Sequence, residues 1–265
     1  MLDLASQIAA NLAKVRQQIA DVAGRCGRRG EEILLVAVTK YVGPAEIRAL
    51  VEAGCREIGE SRPQQLWQRA AALEDLPIRW HLVGHLQRNK VRRTLPLVTL
   101  MHSADSPRLI AALNEAAADF AREKMGTGSA EPQQTPGSSS CGKVPVPIFS
   151  RYRVPILLEV NISGEPAKHG FAPDAIEPFF AELSSYRHVE VRGLMCMAAL
   201  EGGLDAARRD FAALRALRDR LRTRCPDGIT LDELSMGMSG DYAVAIEEGA
   251  TMVRIGSALF EGVMP

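Results

Sequence analysis

Two hydrophobic periods alternate along this chain. Short strand candidates, most of them apolar runs, fall at 33–40 (ILLVAVTK), 56–60 (REIGE), 79–85 (RWHLVGH), 97–104 (LVTLMHSA), 154–161 (VPILLEVN), 189–197 (VEVRGLMCM), 232–237 (DELSMG) and 251–257 (TMVRIGS). Runs of that length and type predict buried strands. Between them lie PAEIRALVEAG, RPQQLWQRAAALE, SPRLIAALNEAAADFAREK, PDAIEPFFAELSS and DAARRDFAALRALRDRLRTRC, where apolar positions recur at three and four residues. Those segments predict helices, and a further one precedes the first strand, with Ile8, Leu12, Val15, Ile19 and Val22 on one face.

Strand and helix in alternation predict a parallel sheet, because parallel neighbours need a crossover and a helix is its usual form. Eight such units predict an α/β fold in which one (β/α)₈ barrel carries an extra N-terminal helix. An open doubly wound sheet is the alternative with the same alternation. The chain has 265 residues, and barrels of this kind run near ~250 residues as one domain. Residues 126–151 are dense in Gly, Pro and Ser. That composition predicts a disordered insertion between the fourth and fifth strands, since it buries too little apolar area to offset chain entropy. No internal repeat is visible.

Composition narrows the function classes. With 32 basic and 32 acidic side chains, the chain lacks the basic excess of a nucleic-acid binder. The first helix is amphipathic, not a signal peptide's apolar core, and no apolar run approaches the ~20 residues of a membrane span. The five cysteines are odd in number, with no CxxC pair, which points to free thiols in a reducing compartment and a cytoplasmic location.

In a barrel, ligand chemistry gathers at the C-terminal ends of the strands. Lys40 closes the first apolar run there. Burial at that rim would lower its pKa and expose an amine lone pair, as a Schiff-base lysine requires; snorkelling to solvent is the plain alternative. The seventh run leads into LSMGMSGD, where Gly237 and Gly240 permit close backbone approach to an anion, Ser235 and Ser239 offer hydroxyls, and Asp241 is placed to cap a helix starting at Tyr242. The eighth leads into VRIGSALF, adding Gly256 and Ser257 at a helix start. Arg254 shares a strand face with Gly256 and is suited to an acidic neighbour, a phosphate, or a ring nitrogen kept unprotonated. A lysine facing a phosphate cup suits a phosphorylated aldehyde, with pyridoxal 5'-phosphate (PLP) as candidate and phosphorylated sugars as rival. His81 and His85 lie four apart but without the glutamate of a zinc-binding HExxH helix, so no metal is expected. The arginine-rich helix around Arg208 to Arg224 has interspersed acids and a buried stripe of Phe211, Leu214, Leu217 and Leu221, which reads as a solvated outer helix.

LLVAVTK, the IGE at 58–60, WHLVGHLQRNK, VNISGEPAKHG, RGLMCM, LSMGMSGD and MVRIGSALF together resemble the pyridoxal phosphate homeostasis proteins, relatives of the barrel domain of alanine racemase. The resemblance implies a fold-type III PLP-binding barrel with the Schiff base on Lys40. It implies phosphate contacts from Ser239, Gly256 and Ser257, helped by Ser235 and the backbone of Met236, Gly237 and Met238. It also implies Arg254 near the pyridine nitrogen, and Asn161 and Lys168 at the mouth. Ser61 stands where that family usually has asparagine, and Glu261 where it usually has glycine. The implied role is cofactor binding, storage and delivery, with apo PLP-dependent enzymes as recipients and the protein acting as a monomer. A PLP-dependent amino-acid racemase or decarboxylase is the alternative. It is disfavoured because a racemase needs two bases and only Lys40 is visible, and because little chain follows the eighth strand to form the second domain of such enzymes.

Overall fold

The computed structural model describes residues 3–126, 153–226 and 229–263; all of the expected insertion except Gly126 lies outside them. Eight parallel strands close into a barrel in sequence order. They are β1 (Leu34–Val38), β2 (Glu57–Glu60), β3 (Arg79–Leu82), β4 (Val98–Ala104), β5 (Val154–Glu159), β6 (Val189–Met195), β7 (Glu233–Ser235) and β8 (Met252–Ile255). Closure comes from β1 against β8, with Leu34 beside Met252 and Ala37 beside Ile255. That pairing excludes the open sheet.

Around the strands lie α1 (Leu4–Arg25), α2 (Pro44–Glu52), α3 (Pro63–Ala72), α4 (Val91–Thr94), α5 (Pro107–Gly126), α6 (Pro173–Glu182), α7 (Gly203–Arg222) and α8 (Tyr242–Glu247). Asp3 caps α1 by accepting from the Ser6 amide at 2.7 Å, supplying an acceptor to an otherwise unpaired N–H. The expected stripe from Ile8 to Val22 is buried, and each such side chain contributes roughly 1.5–3 kcal/mol relative to exposure. On α7 the apolar stripe is likewise buried, while Arg208 pairs with Glu247 and Glu248 and Arg220 with Glu177. The outer-helix reading of that segment holds. No helix among the described residues is long and apolar enough to cross a membrane.

Several apolar runs overshoot the strands at their C-terminal ends. Thr39 and Lys40 follow β1, and Val83 to His85 follow β3. The backbone turns there because it must approach a neighbour closely: a Cβ on Gly84 would lie 2.2 Å from the Ser61 carbonyl oxygen. These turns form the barrel's mouth.

Apolar packing divides in two. The larger core lies between strands and helices. Within the barrel a small plug of Leu100, Leu157, Met195 and Met252 packs with Leu34. Strand alternation puts His102 and Arg254 on the same inward faces as Leu100 and Met252, and Glu57, His81, His102, Ser235 and Arg254 are all buried. The interior is therefore part hydrocarbon and part polar chain.

Candidate functional site

A cavity of about 440 Å³ opens at the C-terminal ends of the strands, with Lys40, Glu159, Ser239, Arg254, Gly256 and Ser257 in its wall. Its size falls within the ~300–1,000 Å³ of small-molecule sites.

Lys40 is exposed, and its Nζ lies 4.8 Å from the centroid of the Tyr41 ring. The burial expected of it is absent, because β1 ends at Val38 and the lysine stands two residues beyond, in the turn. That turn is tied down from beneath. Arg69 on α3 donates to the Thr39 carbonyl at 2.9 Å and to the Val42 carbonyl at 2.5 Å, and it forms an ion pair with the fully buried Glu60, which also accepts from the Thr39 hydroxyl. Burial raises the Glu60 pKa, while Thr39 and Arg69 oppose the shift. The exposed amine thus extends from a backbone turn held in place by Arg69.

The loops after β7 and β8 meet across the cavity. Ser239 accepts from the Gly256 amide at 3.2 Å, linking the two loops, and Met238, Ser239, Gly240, Gly256 and Ser257 line the wall. Gly237 has φ +90°, and a Cβ there would lie 2.6 Å from that of Ala245, so only glycine fits. Asp241 does not cap α8 with its side chain as expected. Its carboxylate accepts from the Met238 amide at 2.5 Å instead.

Three expected contributors to this cup lie elsewhere. Ser235 is fully buried and absent from the cavity wall. Its Oγ accepts from Arg254 Nη1 at 2.7 Å and lies 2.8 Å from His102 Nδ1. Met236 and Gly237 also miss the wall, since the Met236 amide donates to Met252 and the Gly237 carbonyl accepts from the Arg254 amide, extending the β7–β8 ladder. Asn161 is similarly occupied, donating to the Glu165 carbonyl at 2.9 Å within its own loop. Lys168 closes that loop by bonding Glu165 and the Ala198 carbonyl.

Arg254 reaches the cavity from β8. Besides Ser235, its guanidinium donates to the Cys196 carbonyl at 2.9 Å. Burial works against its charge, and neighbouring groups including Glu159 partly offset that.

Sequence reading missed a second group on the opposite wall. Glu159 ends β5, and burial, reinforced by Asp105, raises its pKa to about 7. His85 bonds Asp105 at 2.6 Å and stacks on His169 with centroids 4.4 Å apart and planes at 17°. His85, Asp105 and His169 bring ligand atoms within 4.8 Å of one another. In near-parallel stacked rings, however, the in-plane lone pairs do not converge on one ion. His81 belongs to neither set: it is buried inside the barrel, against Glu57 and His102.

With the geometry established, the relatives are informative. The family described as alanine racemase, N-terminal domain, matches residues 7–263. The pyridoxal phosphate homeostasis protein of Aquifex aeolicus is 34% identical over 250 residues, 94% of this chain and 95% of that one. Its counterpart in Escherichia coli strain K12 is 31% identical over 262 residues, 96% of each chain. This chain belongs to the pyridoxal phosphate homeostasis protein family.

The resemblance drawn from the strand-end motifs is thus borne out. A solved structure of PipY from Synechococcus elongatus with PLP bound matches with TM-score 0.74 and 30% identity, covering 96% of this chain and 99% of that one. Alanine racemase from Corynebacterium glutamicum matches with TM-score 0.64 at 16% identity, covering 96% of this chain and 60% of that one, a likeness of fold alone. Ser61 lies in the cavity wall.

Proposed function

We propose that this chain binds PLP in the mouth cavity, holds it covalently through Lys40, and passes it to apo-enzymes without turning over an amino acid itself. One observation carries the reading: Lys40, Arg254 and the linked loops of Ser239 and Gly256–Ser257 surround a single cavity. When bound, the group supplies an aldehyde for a lysine amine, a phosphate and a pyridine ring. Lys40 supplies the amine, and Ser239 and Ser257 supply hydroxyls beside the Gly240 and Gly256 backbone. Arg254 supplies a cation held in place by Ser235 and the Cys196 carbonyl. A guanidinium beside the pyridine nitrogen keeps that nitrogen unprotonated, so the ring withdraws electrons less strongly, which favours storage over catalysis. We further propose that the protein acts as a monomer in the cytoplasm and that 126–151 is a dispensable insertion in a single domain.

Glu159 and the His85–Asp105 pair favour a second reading, a PLP-dependent racemase or decarboxylase. Glu159 and His85 line the same cavity, with Asp105 bonded to His85, so the argument that Lys40 has no second base beside it fails. Purified protein treated with borohydride should carry a pyridoxyl adduct on Lys40; an adduct on Lys168 or Lys90 instead would overturn the site. Loaded protein should deliver its cofactor to an added apo-enzyme and, in deuterated water, produce neither racemised nor α-deuterated amino acids. Turnover at an ordinary enzymatic rate, abolished by Lys40→Ala, would establish the second reading.

A further inference from the structure

An unbroken chain of hydrogen bonds crosses the barrel interior and meets the mouth cavity only at its last member. At the far end, Arg79 forms an ion pair with Glu57. Glu57 Oε2 lies 2.7 Å from His81 Nε2, His81 Nδ1 lies 2.8 Å from His102 Nε2, and His102 Nδ1 lies 2.8 Å from Ser235 Oγ. Ser235 Oγ in turn accepts from Arg254 Nη1 at 2.7 Å. From Glu57 to Arg254 every member is buried. The five side chains come from β2, β3, β4, β7 and β8, so only barrel closure assembles them.

The direction of every proton in this chain follows from the donor inventory. A carboxylate paired with arginine only accepts, so His81 must carry its hydrogen on Nε2. A neutral imidazole has one N–H, which leaves His81 Nδ1 a lone pair that accepts from His102 Nε2. His102 Nδ1 is then an acceptor too, and the Ser235 hydroxyl donates to it. Arginine has no acceptor, so Arg254 donates to the oxygen of Ser235. Both rings are neutral: burial is the main cause, taking His81 down to about 3 and His102 well below the ordinary histidine value.

We infer that Glu57, remote from the mouth, is a positioning residue that fixes this proton direction and so holds Arg254 in its orientation at the cavity. The Ser235 hydrogen is drawn inward, its oxygen faces Arg254, and the guanidinium is clamped between that oxygen and the Cys196 carbonyl. Glutamine at position 57 reverses the proton direction, because Arg79 on one side takes the amide oxygen as acceptor and leaves the amide NH2 to donate to His81 Nε2. Both rings then shift to the Nδ1–H tautomer, and Ser235 receives two donors while its own hydrogen must be placed elsewhere. The proton direction stands independently; its effect on a ligand rests on the proposed function.

Nitrogen-15 spectra of histidine-labelled apo-protein read the tautomers directly. Wild type should show His81 and His102 neutral and protonated on Nε2. Glu57→Gln should show Nδ1–H signals for both, whereas Ser235→Ala, which cuts the chain beyond His102, should keep them on Nε2. With PLP added, both variants should shift the absorption band of the bound cofactor and bind it several-fold more weakly. A wild-type Nδ1–H tautomer at either ring, or wild-type tautomers in Glu57→Gln, would overturn the fixed direction. Flipped tautomers with unchanged band and affinity would overturn the positioning role. If the wild type takes up no PLP, the proposed function fails, and the tautomer readings still decide the proton direction.

Discussion

The two ends of the barrel invite comparison because the larger cavity is at the end with less chemistry. About 520 Å³ opens between α1 and the N-terminal ends of β1 to β3, against about 440 Å³ at the mouth. Cations line the far-end cavity, but two are committed to the protein: Arg16 donates to the Gly54 carbonyl at 2.8 Å, and Arg79 pairs with Glu57. Its remaining wall is largely the flank of α1 and apolar strand starts such as Leu34 and Leu35. The mouth instead gathers an amine, three serine hydroxyls, a guanidinium and a titratable carboxylate from different strand ends. Volume therefore does not identify the site. Convergence at the C-terminal ends of the strands does, and the other end serves stability.

That contrast can be broken at four places. Lys40→Ala should abolish the borohydride-fixed adduct entirely, while Arg56→Ala at the far end should leave it intact, as peptide mapping by mass spectrometry will report. If Ser239 and Ser257 hold the phosphate as proposed, replacing both with alanine removes two hydrogen bonds to a charged acceptor, each worth ~1.5–3 kcal/mol. PLP affinity should fall at least tenfold with pyridoxal affinity nearly unchanged; equal losses in a titration of both would show that the serines do not read phosphate. Leu12→Ala, in the helix across the far end, should cost about 2–5 kcal/mol of stability by urea unfolding and leave the affinity of the folded protein unchanged.

The smallest effect concerns pH. Glu159 has a folded pKa of about 7 against an ordinary 4.5. Between those values the folded state keeps a proton that the unfolded state has lost, so this group lowers stability as pH rises through that window, and its full cost persists above it. Glu159→Gln should flatten that part of the profile and be more stable at pH 8 by up to ~3 kcal/mol. An unchanged profile of urea midpoints against pH would remove Glu159 from the titrating groups of the mouth.

Most of the eight strands were legible because strands buried on both faces write themselves as apolar runs; β2 and β7 carry few apolar residues and are the weakest instances. The linked loops were legible because glycine and serine after the last two strands have a backbone reason to be there. Glu57, His102 and Glu159 were not, although each sits in phase with an inward-facing position of its strand. A polar residue inside an apolar run marks an interior partner, but only the register of the closed barrel reveals which one. Arg69 was hidden differently: on α3 it reads as one more solvated arginine, and its partners are Glu60 at the end of its own unit's strand and Thr39 and Val42 in the preceding unit. Ser235 was misread because a serine near a phosphate loop and a serine holding an arginine look alike in sequence.

Asn11 on α1 donates to the carbonyls of Leu259 and Glu261, the former across a separation of 248 residues. Together with the β1–β8 seam, this joins the earliest and latest parts of the barrel. A nascent chain would expose Lys40 early, yet it could not present the Gly256–Ser257 turn until β8 had emerged and closed the ring. Under the proposed function, retention of the cofactor would then report on completed synthesis, and a barrel interrupted before β8 would leave Lys40 without the facing loops.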